Sequence, residues 1–151
     1  MSGYFKALSE VRLPVRQVEN KMADLGGGTA ISRYVGGRPP GPPWVIGWFG
    51  MIRCRKNLDI LIDLARRSEG KIEVVIRGRP DLNQFEDFHK SVSEARGVRF
   101  LGPYESPGDL AAMYHSVHFN WAVDMFEEGL NSSWLLPNRL YEGGAFACDR
   151  G

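Results

Sequence analysis

The sequence predicts an α/β fold: a parallel sheet with helices on both faces. Three observations carry this. Apolar runs of strand length alternate with amphipathic segments of helical spacing along residues 44–147. The runs are apolar almost throughout, as strands covered on both faces must be, and do not alternate apolar with polar. Glycine follows successive runs, at Gly50, Gly78 and Gly102. Such an alternation implies βαβ units with right-handed crossovers.

Trp44–Gly50 (W-V-I-G-W-F-G) is the first strand. Asn57–Glu69 follows as an amphipathic helix with Leu58, Leu61, Ile62 and Ala65 in one stripe, and Gly70 stops it. Lys71–Arg77 is the second strand, closing at Gly78. Asp81 caps a predicted helix reaching about Arg96, with Leu82, Phe85, His89 and Val92 on its packed face. Val98–Leu101 is the third strand. Ser106 or Asp109 opens a short helix that turns Leu110, Met113 and Tyr114 inward, and Val117–Ala122 is the fourth strand. The acidic loop Asp124–Leu136 leads to a last helix opened by Pro137, whose missing N–H costs nothing at a helix start. Leu140, Tyr141 and Ala145 recur along it at helical spacing. Ahead of the sheet, residues 4–12 have weak helical spacing and Val15–Val18 is a short strand. Gly26–Gly28 and the proline-rich 38–43 make an extended connection.

The totals narrow the function classes. The 151 residues suffice for one domain with a core, and 43% apolar with 25% charged residues is ordinary for a globular chain. A net charge of +1 gives no basic footprint for nucleic acid. Cys54 and Cys148 are isolated, without the spacing of a zinc site or a disulfide framework, so no metal is expected and a cytoplasmic location is. No apolar run reaches the roughly 18 residues of a membrane span, which leaves peripheral attachment to the inner membrane face open.

Parallel sheets bind ligands beyond the carboxyl ends of their strands. The candidate residues follow strand ends: Gly50–Lys56, Gly78, Gly102–Tyr104 and Ala122–Leu136. Gly50 lets a ligand approach the backbone, and Arg53 and Lys56 can neutralise a diphosphate. The helix opened by Pro137 offers free N–H groups and a positive dipole end to an anion. Asn138, Arg139 and Glu142 share a face at i, i+1 and i+4 spacing. Glu142 lies about 7–8 Å along the axis from Pro137, a span that suits the ribose of a nucleotide whose phosphates sit at the helix start. His89 is read as packing, and His115 and His118 receive no role.

Asn131–Gly144 (N-S-S-W-L-L-P-N-R-L-Y-E-G-G) and the loop Gly47–Lys56 resemble the donor-binding elements of GT-B glycosyltransferases, especially the retaining family 4. The resemblance spans nearly the whole chain and is specific only at Trp44–Lys56 and Asn131–Ala147. It implies a Rossmann-like C-terminal half of a GT-B fold, with residues 1–43 as interdomain crossing and linker. Residues 44–151 would be the donor-nucleotide domain, incomplete at its C-terminus because the family's next strand follows. It implies a nucleoside diphosphate sugar, UDP- or GDP-linked, as substrate, with no cofactor. Lys56 matches the family's leaving-group Lys. Met51 stands where the family has Arg, and Arg53 substitutes two residues late. Gly102-Pro103-Tyr104 matches the loop that reads the base, with Tyr104 stacking on it. The N–H groups of Leu136 to Asn138 face the diphosphate, Glu142 holds the ribose, and Glu128 (or Asp124) approaches the sugar. Asp109–Tyr114 (D-L-A-A-M-Y) matches a family helix and is read as packing. An N-terminal acceptor domain is implied as partner, with no turnover by this chain alone and self-association through uncovered apolar surface. Two other readings stand beside this one: an epimerase-like GT-B protein, and a non-catalytic α/β module that binds a protein.

Overall fold

Nine residues of unbroken β-compatible, mostly apolar sequence make the central strand, β1 (Trp44–Ile52). A computed structural model describes residues 40–126 and 137–147. The predicted elements within residues 1–39, the loop residues Glu128 and Leu136, and Cys148 lie outside the described residues. After β1 come α1 (Arg55–Arg67), β2 (Ile72–Pro80), α2 (Phe88–Glu94), β3 (Val98–Phe100), α3 (Leu110–His115), β4 (Phe119–Asn120) and α4 (Asn138–Ala147). All pairings are parallel, in the order β3-β2-β1-β4. This is a Rossmann-like α/β sheet with helices on both faces.

The two faces follow from strand periodicity. Ile46, Trp48 and Ile52 of β1, with Val74 and Ile76 of β2, pack under α1 and α2 through Leu58, Leu61, Phe88 and Val92. Val45 and Phe49, with Val75, pack under α3 and α4 through Leu110, Met113, Tyr114 and Phe146. Leu58 and Leu61 are fully buried, so truncating either to Ala costs about 2–5 kcal/mol. Arg66 and Arg67 in the last turn of α1 complement its dipole and pair with Asp63 at 2.5 and 2.6 Å.

Three expectations change. The helix expected from Asp81 begins at Phe88. Asp81 instead holds a turn, accepting Asn83 N at its side chain (3.1 Å) and Gln84 N at its carbonyl (3.0 Å). Leu82 is exposed as a result, and His89 lies exposed with its ring edge against Phe88 and Phe100. The second strand runs on through Gly78 to Pro80, because Gly78 N still reaches Gly102 O (3.0 Å). In α4 the inward positions are Arg139, Glu142, Gly143 and Phe146, whereas Leu140 is 41% exposed. The last helix therefore turns a charged stripe toward the sheet.

Candidate functional site

The carboxyl ends of β1, β2 and β3 form the floor of a cleft of about 280 Å³, lined by Gly50, Met51, Gly78, Arg79, Pro103 and Tyr104. The floor is bare backbone for a steric reason. Gly50 and Gly78 lie side by side in the parallel register and both have positive φ, +107° and +142°. A Cβ on Gly78 would sit 1.8 Å from Gly50 O, a position only glycine can occupy. Four residues proposed from sequence, Gly50, Gly78, Pro103 and Tyr104, thus meet in one cleft. Met51 and Arg79 line it as well. Arg79 went unassigned, although its place beside Gly78 at a strand end was the same signal that marked its neighbours.

One wall is the loop after β3. Arg77 props it from β2: its guanidinium donates to Pro103 O (3.1 Å) and stands 3.6 Å from Asp109, which in turn accepts Glu105 N (3.0 Å). Burial raises the Tyr104 hydroxyl's pKa, the Glu142 charge adds to that, and Arg139 and Arg77 oppose it. Tyr104 therefore stands within electrostatic reach of Glu142 on α4. Glu142 Oε2 accepts the Tyr114 hydroxyl at 2.8 Å. Tyr114 is held neutral by burial and by that carboxylate. The residue read as packing alone has a polar partner.

The second feature is the crevice between β1 and β4, where the connections diverge to either side of the sheet. The carbonyl of Val123 accepts both Asn57 Nδ2 from α1 (3.0 Å) and Arg139 Nη2 from α4 (3.1 Å). Arg139 also donates to Phe49 O at 3.5 Å. Asp124 stands between two cations, Arg53 at 3.6 Å and Arg139 at 3.9 Å. The Arg53 guanidinium lies 4.6 Å over the Phe126 ring. Burial lowers the pKa of Arg139, and Asp124 opposes the shift. The N-terminal turns of helices on opposite faces are thereby tied at one carbonyl. Asn57 is fully buried for this purpose, and sequence spacing alone had marked it only as a helix start.

Of the remaining candidates, Lys56 is exposed in the first turn of α1 and Asn138 is exposed at the start of α4. Asn138 therefore stands outward where Arg139 and Glu142 are half-buried: it lies about 100° around the axis from Arg139, and its i,i+4 spacing to Glu142 does not bring it inward at the helix start. Arg139 acts as a strut between strands and helix, with an 11% exposed side chain. Gly143 lets α4 close on β4. A Cβ there would meet Asn120 Nδ2 at 2.4 Å, and that nitrogen donates to Arg139 O (2.6 Å). His118 Nδ1 accepts Val45 N (2.9 Å), which completes the edge of β1, and His115 Nδ1 contacts Ala111 O (2.7 Å). Among the described residues no group of three or more His, Cys, Asp or Glu side chains is arranged to hold a metal. No described helix is long and apolar enough to cross a membrane.

The architecture defines the class: a Rossmann-like sheet with a glycine-floored cleft at its carboxyl edge. Over 144 residues the chain is 48% identical to the succinoglycan biosynthesis protein ExoL of Rhizobium meliloti (strain 1021). The match covers 93% of this chain and 35% of that protein, so the chain spans about a third of the length of the curated relative it matches. No family model matches the chain. No solved structure matches it significantly.

Proposed function

We propose that the chain is the donor-nucleotide-binding part of a GT-B glycosyltransferase resembling family 4, acting in the synthesis of a polysaccharide. One observation carries the reading: Gly50, Gly78, Pro103 and Tyr104, drawn from three successive strand ends, line one cleft. Two further observations support it. The cleft volume of about 280 Å³ lies near the lower bound of roughly 300 Å³ for small-molecule sites, as suits a part of a larger site. The relative's name assigns that protein to succinoglycan biosynthesis.

In this reading an acceptor hydroxyl oxygen bonds to the anomeric carbon of the sugar while the bond from that carbon to the diphosphate oxygen breaks. Negative charge develops on the departing diphosphate, and the cations Lys56 and Arg53 stabilise it. Arg53 is held by Asp124 and Phe126, so the diphosphate competes with Asp124 for it. Tyr104 stacks on the base and Glu142 accepts the ribose hydroxyls. Glu128 approaches the sugar. The acceptor and the base that takes its proton come from the rest of the longer protein, with residues 1–43 as the crossing between the two parts. The donor is UDP- or GDP-linked, no metal or cofactor takes part, and the site faces the cytoplasm at the membrane.

Calorimetric titration of the chain with UDP and with GDP tests this. One nucleotide binds, and Glu142→Ala weakens it by about 1–3 kcal/mol, the range for a lost charged hydrogen-bond partner. A folded chain that binds neither nucleotide, alone or extended to the relative's full length, would sink the reading.

A further inference from the structure

We propose that Tyr114 is a positioning residue for ribose recognition: its hydroxyl occupies Glu142 Oε2 and leaves Oε1 as the acceptor for the nucleotide's sugar hydroxyls. The inference rests on the donor-site reading above and deepens it.

The geometry favours a fixed donor. Tyr114 is 6% exposed. Its ring stands edge-on to Phe49 of β1 (5.2 Å, 87°) and stacks on Phe146 of α4 (5.5 Å, 15°). The ring is thus held from two elements, and the hydroxyl has one place to go, 2.8 Å from Glu142 Oε2. The Glu142 side chain makes no other hydrogen bond among the described residues. A glutamate on a helix has several rotatable bonds and loses rotamer entropy when it grips a ligand. A buried phenol that has already fixed one oxygen removes part of that cost before the ligand arrives. Packing does not need the hydroxyl, since phenylalanine would fill the same space. The hydroxyl also stays a donor at neutral pH, because burial and the Glu142 charge both oppose its ionisation.

The test uses the full chain and two matched probe pairs, UDP with 2′-deoxy-UDP and GDP with 2′-deoxy-GDP. For the nucleotide that binds, the ribose form binds about tenfold tighter than the deoxy form, the ratio expected of one charge-assisted hydrogen bond. In Tyr114→Phe that ratio falls to about threefold or less, while deoxy-nucleotide affinity stays the same. In Glu142→Gln it also falls, and adding Tyr114→Phe to Glu142→Gln changes it no further. An unchanged ratio in Tyr114→Phe would overturn the inference, as would a parallel loss for both probes, which is what a merely structural role gives. Absence of any nucleotide binding by the wild type removes the donor-site reading itself, a separate and recognisable failure.

A ligand-free measurement guards against a variant that does not fold. Ultraviolet titration follows tyrosine ionisation in wild type and in Glu142→Gln. The groups in electrostatic contact with the Tyr114 hydroxyl are Glu142, Tyr104 and Arg139. Tyr104 and Tyr114 of the wild type both ionise late; the step that Tyr114→Phe removes is the one assigned to Tyr114, and Glu142→Gln brings it to lower pH. No change between the two proteins would show that the hydroxyl and carboxylate are not coupled, and would overturn the inference.

Discussion

Gly78→Ala probes the cleft floor, and Gly50→Ala is its internal control. Both glycines have positive φ, +107° at Gly50 and +142° at Gly78. An alanine in such a conformation costs about 1–3 kcal/mol in backbone strain. The surroundings then separate the two sites. A Cβ on Gly50 meets nothing within 4 Å, whereas one on Gly78 meets Gly50 O at 1.8 Å and Gly50 C at 2.8 Å. Both are backbone atoms of a strand paired to its neighbour and cannot swing aside as a side chain would. Relief requires β1 and β2 to part, which strains the 3.0 Å hydrogen bond from Gly78 N to Gly102 O. Overpacking of this kind adds about 1–3 kcal/mol. The expected losses are therefore about 1–3 kcal/mol for Gly50→Ala and roughly 2–6 kcal/mol for Gly78→Ala. Since a domain has only about 5–15 kcal/mol of net stability, the second loss is a large share of the whole. Urea denaturation followed by tryptophan fluorescence measures both. If Gly78→Ala costs no more than Gly50→Ala, the close approach of the two strand ends is wrong, and the bare cleft floor goes with it.

Two other perturbations follow from the same geometry. Gly143→Ala places a methyl against Asn120 Nδ2 and pushes α4 off β4; it should cost about 1–3 kcal/mol, while Gly144→Ala, with nothing within 4 Å, should be neutral or stabilising in the same urea assay. Stability should also fall at alkaline pH. The hydroxyls of Tyr104 and Tyr114 have pKa values raised above the ordinary 10.0 in the fold. Below pH 10.0 both states keep these protons; above it the unfolded chain releases them while the fold still holds them, so stability is lost as pH rises. Urea midpoints should decline above about pH 10, and less steeply in Tyr114→Phe; an equal decline in both proteins would refute the assignment.

Much of the sheet was legible because its signal is local. An unbroken apolar run such as Trp44–Gly50 has nowhere to go but a strand covered on both faces, and Leu58, Leu61 and Ala65 can be buried together only by a helix. The strand-end rule likewise gathered Gly50, Gly78, Pro103 and Tyr104, since a parallel sheet aligns the carboxyl ends of its strands. The start of α2 was not legible. Asp81 satisfies N–H groups in a turn as readily as at a helix start, and what moves the helix to Phe88 is the packing of Phe85 and Phe88 (5.3 Å) under the sheet. Arg139 and Glu142 were found by spacing, but Arg139 proved a strut because Phe49 O, Val123 O and Asp124 surround it, and those come from two segments distant in sequence from each other.

The sequence by itself therefore determined the alternation of strands and helices, the parallel sheet, and the edge of that sheet where the glycine-floored cleft lies. Each depends on hydrophobic periodicity or on a glycine at a strand end, and both can be read over a few neighbouring residues. Only the tertiary structure decided that Tyr114 reaches Glu142, that Asn57 and Arg139 meet at Val123 O, and that Gly78 lies against Gly50 O. The physical reason is distance along the chain. A hydrogen bond between residues 28 apart, or 66 apart, is set by how strands align and how closely helices approach them, and that is fixed only when the whole core has packed.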